Sequence, residues 1–169
     1  MDPGTKLVNL LVLKIRQTQL GDGSIKSLVD LCPNLQRLDI SFTSLKRLDC
    51  LLSPLHVLPL HKLSLTSTSI TPHDLALILP LYPQLEILLL GALGINRGSQ
   101  ASIRNTSAMT MDDAGLKAVT NALADFAYLE HISLVGNAKL GATTKHDSAL
   151  SDFVSCIGRK CRVSSCVLL

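Results

Sequence analysis

The side chains of this chain with chemical potential are five histidines, five cysteines and a set of cations that recur at a fixed interval. His56, His61, His73, His131 and His146 stand in no nucleophile or metal motif. His131 and Ser133 are two residues apart, so a strand sets both on one face. A Ser–His neighbour with no orienting acid and no oxyanion site makes a poor triad, and the expectation is a surface pair. No Gly-rich loop opens a helix to cradle a phosphate. Cys156, Cys161 and Cys166 are spaced evenly by five, with no paired His to complete four ligands, which is not the spacing zinc requires. The expectation is a protein that is not an enzyme and uses no cofactor and no metal.

Cys166-Val167-Leu168-Leu169 carries chemistry of another kind. It has the form of a C-a-a-X prenylation signal, and a final Leu points to a geranylgeranyl chain. One lipid anchors weakly, so attachment to a membrane surface needs a second signal. Arg159, Lys160 and Arg162 suit anionic lipid, and Cys161 suits a second acyl chain. The alternative is structural: Val163, Val167 and Leu168 form a last edge strand that caps the fold, with the cysteines as small apolar fillers.

The elements that position these groups follow from a repeated phrase. Leu10-x-x-Leu13-x-Ile15-x-x-Thr18-x-Leu20 returns at Leu35, Leu38, Ile40, Thr43 and Leu45, and again at Leu60, Leu63, Leu65, Thr68 and Ile70. It returns at Leu85, Leu88, Leu90, Leu93 and Ile95, and finally at Leu129, Ile132, Leu134, Asn137 and Leu140. Four copies start 25 residues apart and the step to the fifth is 44, which places an insertion between them. Within each phrase the paired apolar residues two apart share one face of a strand, near 10–15, 35–40, 60–65, 85–90 and 129–134. One such unit cannot bury its apolar face alone, whereas stacked neighbours turn the columns into a continuous core under a parallel sheet. Ile25, Leu28 and Leu31, then Leu75 and Ile78, then Leu116, Val119, Leu123 and Phe126 have helical spacing, so each unit reads as strand, turn, helix, return. The Thr18, Thr43 and Thr68 column, with Asn137 as its amide version, is expected to satisfy backbone amides at an inner turn. Gly21-Asp22-Gly23 is expected to be a turn.

These phrases resemble leucine-rich repeats of the ribonuclease-inhibitor-like superfamily. Leu28 to Leu35 and Ser69 to Ala76 are similar to the cysteine-containing subtype common in the repeat region of F-box ubiquitin-ligase proteins, and Asp113 to Val119 with Gly136-Asn137 is similar to the longer ribonuclease-inhibitor repeat. The resemblance implies an α/β fold of one domain over 1–169: an open horseshoe with a parallel sheet on its concave face and helices on its convex face. It implies a non-catalytic role in protein binding, nearest to ubiquitin-ligase substrate recognition. The alternatives are a structural subunit of a larger complex, which the apolar first repeat suggests, and a GTPase-activator-like regulator, for which the superfamily offers a precedent.

In that fold the outward strand positions form a grid. Its first column is Val12, Arg37, Lys62, Ile87 and His131; its second is Lys14, Asp39, Ser64, Leu89 and Ser133; its third is Arg16, Ser41, Thr66, Gly91 and Val135. Basic residues gather around Asp39 in the N-terminal half, and Ile87, Leu89 and Val135 turn the C-terminal half apolar. Charge orients a protein partner and apolar area holds it, so Lys14, Arg16, Arg37, Asp39, Lys62, Ile87, Leu89 and His131 are the expected contacts. The insertion, residues 94–110, is rich in Ser, Thr, Gly and Asn and has no apolar period. It is expected to be a loop beside the same face, with Arg97 and Arg104 as contacts; loops of this length are functional or disordered. Met111 and Asp112-Asp113 then open the next helix. Residues 158–169 are expected to be a tail.

Composition sets the outer bounds. At 47% hydrophobic and only 3% aromatic, the core must be built from aliphatic layers. A net charge of +3 with so few aromatic rings does not indicate nucleic acid. No apolar run approaches the roughly 20 residues of a membrane span, and Lys6, Lys14 and Arg16 break up the first apolar stretch. Five scattered cysteines with core-like positions at Cys32 and Cys50 fit reduced thiols in the cytoplasm, at the cytoplasmic face of a membrane if the tail is lipidated. Solenoids need polar caps, yet the first phrase begins just after Lys6. The expectation is that a partner covers that end or that the chain is part of a longer protein.

Overall fold

The computed structural model describes residues 6–52, 57–91, 111–137, 140, 149–160 and 165–167. They form an α/β fold with one parallel sheet. Its strands are β1 (Val12–Lys14), β2 (Arg37–Asp39), β3 (Lys62–Ser64), β4 (Ile87–Leu89), β5 (His131–Ser133) and β6 (Ser165–Val167), and they lie side by side in chain order. The register is the one the repeat predicts: Leu13, Leu38, Leu63, Leu88 and Ile132 are in line, and Cys166 of β6 joins the same row.

Three-residue strands are short, but the ladder runs past them at both ends. Arg37, Lys62, Ile87 and His131 donate their N–H groups to Leu11, Gln36, His61 and Glu86 at 3.0 to 3.1 Å. Beyond the strands, Ile15, Ile40, Leu65 and Leu90 donate to Asp39, Ser64, Leu89 and Ser133 at 2.8 to 3.1 Å. In four of the units the chain then turns through a left-handed residue at the same place: Gln17 (φ 56°), Phe42 (φ 58°), Ser67 (φ 53°) and Gly136 (φ 80°). Only Gly136 adopts that conformation without a Cβ penalty. The other three are held there by bonds to the next unit, from Gln17, Phe42 and Ser67 N–H to Ser41, Thr66 and Gly91 carbonyls.

Four α-helices fill the returns: α1 (Asp22–Asp30), α2 (Pro72–Ile78), α3 (Asp113–Ala122) and α4 (Ala149–Lys160). Each buries residues at helical spacing, Ile25 and Val29, Leu75 and Ile78, Leu116 and Val119, Phe153 and Ile157. Thr71 caps α2 by accepting the Asp74 N–H, with Pro72 in the first turn, and Asp112 caps α3 by accepting the Gly115 N–H at 2.8 Å. α2 packs on α3 and α3 on α4, so the helices follow the order of the strands. The core lies between them and the sheet. Leu38, Leu63, Leu88 and Ile132 are fully buried with Ile40, Leu65, Leu90 and Leu134, and each such side chain contributes on the order of 2 kcal/mol of transfer free energy.

Several local expectations are corrected. The second return holds a 3-10 turn, Asp49–Leu51, in place of an α-helix. Pro54 and Pro59 fall in this stretch of sequence and remove two N–H groups that a helix would need. Gly21 is the N-cap of α1 and Asp22 its first residue, where the carboxylate accepts the N–H groups of Lys46 and Arg47. The threonine hydroxyls donate to carbonyls: Thr18, Thr43 and Thr68 bond the Ile15, Ile40 and Leu65 oxygens at 2.8 to 3.0 Å. Those oxygens turn inward as the strand ends, and only a donor can satisfy them. The sheet has six strands where five are expected, and residues expected to be tail from 158 continue α4 to Lys160 and then form β6.

Candidate functional site

The outer face of the sheet carries an open groove of about 490 Å³. It is lined only by strand and turn residues of the first four units: Lys14, Arg16, Arg37, Lys62 and Asp39 carry the charge, with Ser41, Ser64, Thr66, Val12, Leu38, Phe42 and Leu89 between them. The parallel ladder sets Val12, Arg37, Lys62 and Ile87 in one row and Lys14, Asp39, Ser64 and Leu89 in the next. Neighbouring strands lie about 4.8 Å apart, so the spacing of these groups is fixed by backbone bonds and not by the side chains themselves.

The charges are unbalanced. Asp39 faces Arg16 at 3.4 Å and accepts the Ser41 N–H at 3.1 Å. Among the described residues no carboxylate pairs with Lys14, Arg37 or Lys62. Arg37 and Lys62 are direct cross-strand neighbours, and like charges in that relation repel. Beneath them Ser64 is 1% exposed, and its hydroxyl has no hydrogen-bond partner. Gly91 packs closely beside the lining residue Thr66: a Cβ there would come to 3.1 Å from the Thr66 methyl and from the Val135 carbonyl.

The chain matches no protein-family model, and no curated protein matches it in sequence.

Six of the expected contacts, Lys14, Arg16, Arg37, Asp39, Lys62 and Leu89, therefore meet in one groove. Ile87 and His131 lie outside its lining but continue the Arg37–Lys62 row on β4 and β5, both half-buried. Arg97, Arg104 and the rest of 94–110 lie outside the described residues. Ser64 and Phe42 are the contributors that residue types alone do not single out. Ser64 is buried because its neighbours across the sheet are longer, and Phe42 reaches the groove only through its left-handed backbone.

His131 and Ser133 share the outward face of β5, without a carboxylate holding the imidazole among the described residues. His61 instead meets Glu86 at 2.9 Å on the preceding pair of strands, and both are well exposed. No group of three metal-binding side chains forms among the described residues. No described helix is long and apolar enough to cross a membrane.

Cys166 lies on β6, exposed, beside Ile132. Arg159 is exposed near the end of α4; Arg162 and Cys161 are outside the described residues. Cys32 and Cys50 are buried free thiols, as their positions in the repeat predict. Burial pushes the Cys50 thiol from 9.0 up to about 12 and raises the Tyr82 phenol, whose hydroxyl donates to the Leu51 carbonyl. The folded state thus keeps protons that the unfolded chain releases. The stability this contributes is complete below pH 9 and is lost as the pH rises toward 12. Urea unfolding at mildly and strongly alkaline pH is expected to show this decline, and Cys50→Ala to make it shallower. An equal slope in the variant would remove Cys50 as its cause.

Proposed function

We propose that the chain is a leucine-rich-repeat solenoid that binds a protein partner on the open face of its sheet and performs no chemistry of its own. The observation that carries this reading is the groove itself: unpaired cations held in register beside Leu89, with no helix among its lining residues. Aligning Arg37 with Lys62 costs repulsion that an opposing anionic surface would relieve. The repeat subtype favours a role in substrate recognition for a ubiquitin ligase. A membrane tether through Cys166 is part of the same proposal, and it requires β6 to release from β5, because the Cys166 backbone sits in the ladder. The location that fits is the cytoplasm, at a membrane face when the tether is present.

Photo-crosslinking tests the reading. A crosslinking residue placed at Arg37, Ile87 or Leu89 is expected to capture the same protein in cells of the native host, while one at Lys117 or Leu77, exposed on α3 and α2, captures nothing in common with it. Capture from the helix positions alone would overturn the assignment of the face. A structural-subunit role has one observation in its favour: Leu7, Val8, Leu11 and Val12 are 41 to 49% exposed at the first strand. Crosslinks from Leu7, Val8 and Leu11 and not from Arg37, Ile87 or Leu89 would support it.

A further inference from the structure

We infer that the groove over β1–β4 takes an acidic peptide segment, one of whose carboxylates accepts the buried Ser64 hydroxyl. This deepens the proposal of a partner-binding sheet face and rests on it. Charge gives the class of ligand. Four cations line the groove against one carboxylate, and Asp39 is engaged by Arg16 and the Ser41 N–H. Lys14, Arg37 and Lys62 are left to a ligand, and their mutual repulsion is relieved only by an anion between them.

Ser64 gives the position. It lines the groove, is 1% exposed and has an unpartnered hydroxyl, while its row neighbour Asp39 is engaged by Arg16 and the Ser41 N–H. A hydroxyl donor on the same face as the Arg37–Lys62 row, one step along the strands from it, is matched by a carboxylate, which accepts along several directions at once. The flexible stems of Lys14 and Lys62 can swing onto an arriving carboxylate and give it that hydroxyl. Shape gives the form. Four strands at about 4.8 Å span roughly 14 Å, the reach of about four extended residues. Val12, Phe42 and Leu89 between the charges suit aliphatic side chains alternating with acidic ones. A lipid bilayer presents its phosphates in a plane and does not reach a hydroxyl at the floor of a groove.

The test is fluorescence anisotropy with labelled synthetic peptides that alternate Glu with Leu, against the same peptide with Gln for Glu, and flotation with vesicles of phosphatidylserine. The Glu peptide is expected to bind at least about tenfold more tightly than the Gln peptide, with a clear loss at high salt. Ser64→Ala is expected to weaken the Glu peptide about tenfold and leave the melting temperature of the free protein unlowered, since the deleted hydroxyl has no partner to lose. Lys62→Gln is expected to weaken binding and reduce its salt dependence. Equal affinity for the two peptides, indifference to Ser64→Ala, or binding to vesicles in preference to peptide would overturn the inference. If the sheet-face crosslinks persist while the peptide results fail, the partner-binding face stands and only its acidic occupant is wrong; loss of both removes the face as well.

Discussion

Replacing Asn137 with alanine is expected to lower the unfolding free energy by roughly 3–5 kcal/mol, far more than the loss of one surface hydrogen bond. Its side chain is 6% exposed and serves three separate backbone groups. The amide nitrogen donates to the Leu134 carbonyl at 2.6 Å and to the Leu90 carbonyl at 3.1 Å, and the oxygen accepts the Met111 N–H at 2.8 Å. Those three groups belong to the exit of β5, the exit of β4 and the approach to α3. Alanine removes the side-chain partner of the Leu90 carbonyl and of the Met111 N–H, and leaves the Leu134 carbonyl only the backbone N–H of residue 137 at 3.3 Å. Thr43→Val is the matched control: it removes the bond to Ile40 from the same position in its own unit, and is expected to cost about 1 kcal/mol. Urea unfolding of both variants at neutral pH measures the difference. If Asn137→Ala costs no more than Thr43→Val, the amide does not join the last units, and their alignment must come from apolar packing alone.

The contrast also explains what the sequence could and could not reveal. The spacing of Leu38 and Ile40, repeated at Leu63 and Leu65, fixes strand, face and register together, because residues two apart share a face and a period of 25 sets each strand beside its neighbour. The groove residues follow directly, since Arg37 and Lys62 can only be adjacent once the leucines are. The break in the period locates the insertion, and Asn137 replaces threonine where the chain comes back from it at Met111. Threonine has one donor and suffices where only the local carbonyl needs satisfying; an amide is needed where an N–H must be met too. What residue types do not reveal is conformation that other units impose. The left-handed backbone at Gln17, Phe42 and Ser67 carries no glycine to announce it, and only Gly136 marks the position. α4 at Ala149 follows the fifth phrase, but no sixth phrase follows α4, so the repeat pattern gives no prompt for β6 behind it. The orphan state of the Ser64 hydroxyl depends on which long side chains surround it, and that is a property of packing.

Leu63→Ala is expected to destabilise by about 2–5 kcal/mol and to weaken binding in the groove without altering any residue that lines it. Leu63 is fully buried at the centre of β3, between Lys62 and Ser64 on the opposite face. Its neighbours in the row, Leu38 and Leu88, are also fully buried, so a cavity there has no solvent to fill it and the loss includes the contacts of both adjoining layers. In a stack where each unit leans on the next, a weakened middle layer lets β1 and β2 move against β4, and the spacing of Lys14, Arg37 and Lys62 widens with them. Leu13→Ala removes the same side chain from the same row at its outer strand. Leu13 is only partly buried, and the row continues on one side of it alone, so the expected cost is about 1 kcal/mol. Denaturant unfolding of both variants, with m-values compared, separates the two sites. A cost at Leu13 equal to that at Leu63 would mean that the outer face of β1 is covered in solution, and size-exclusion chromatography of the wild type would then show whether a second copy is what covers it.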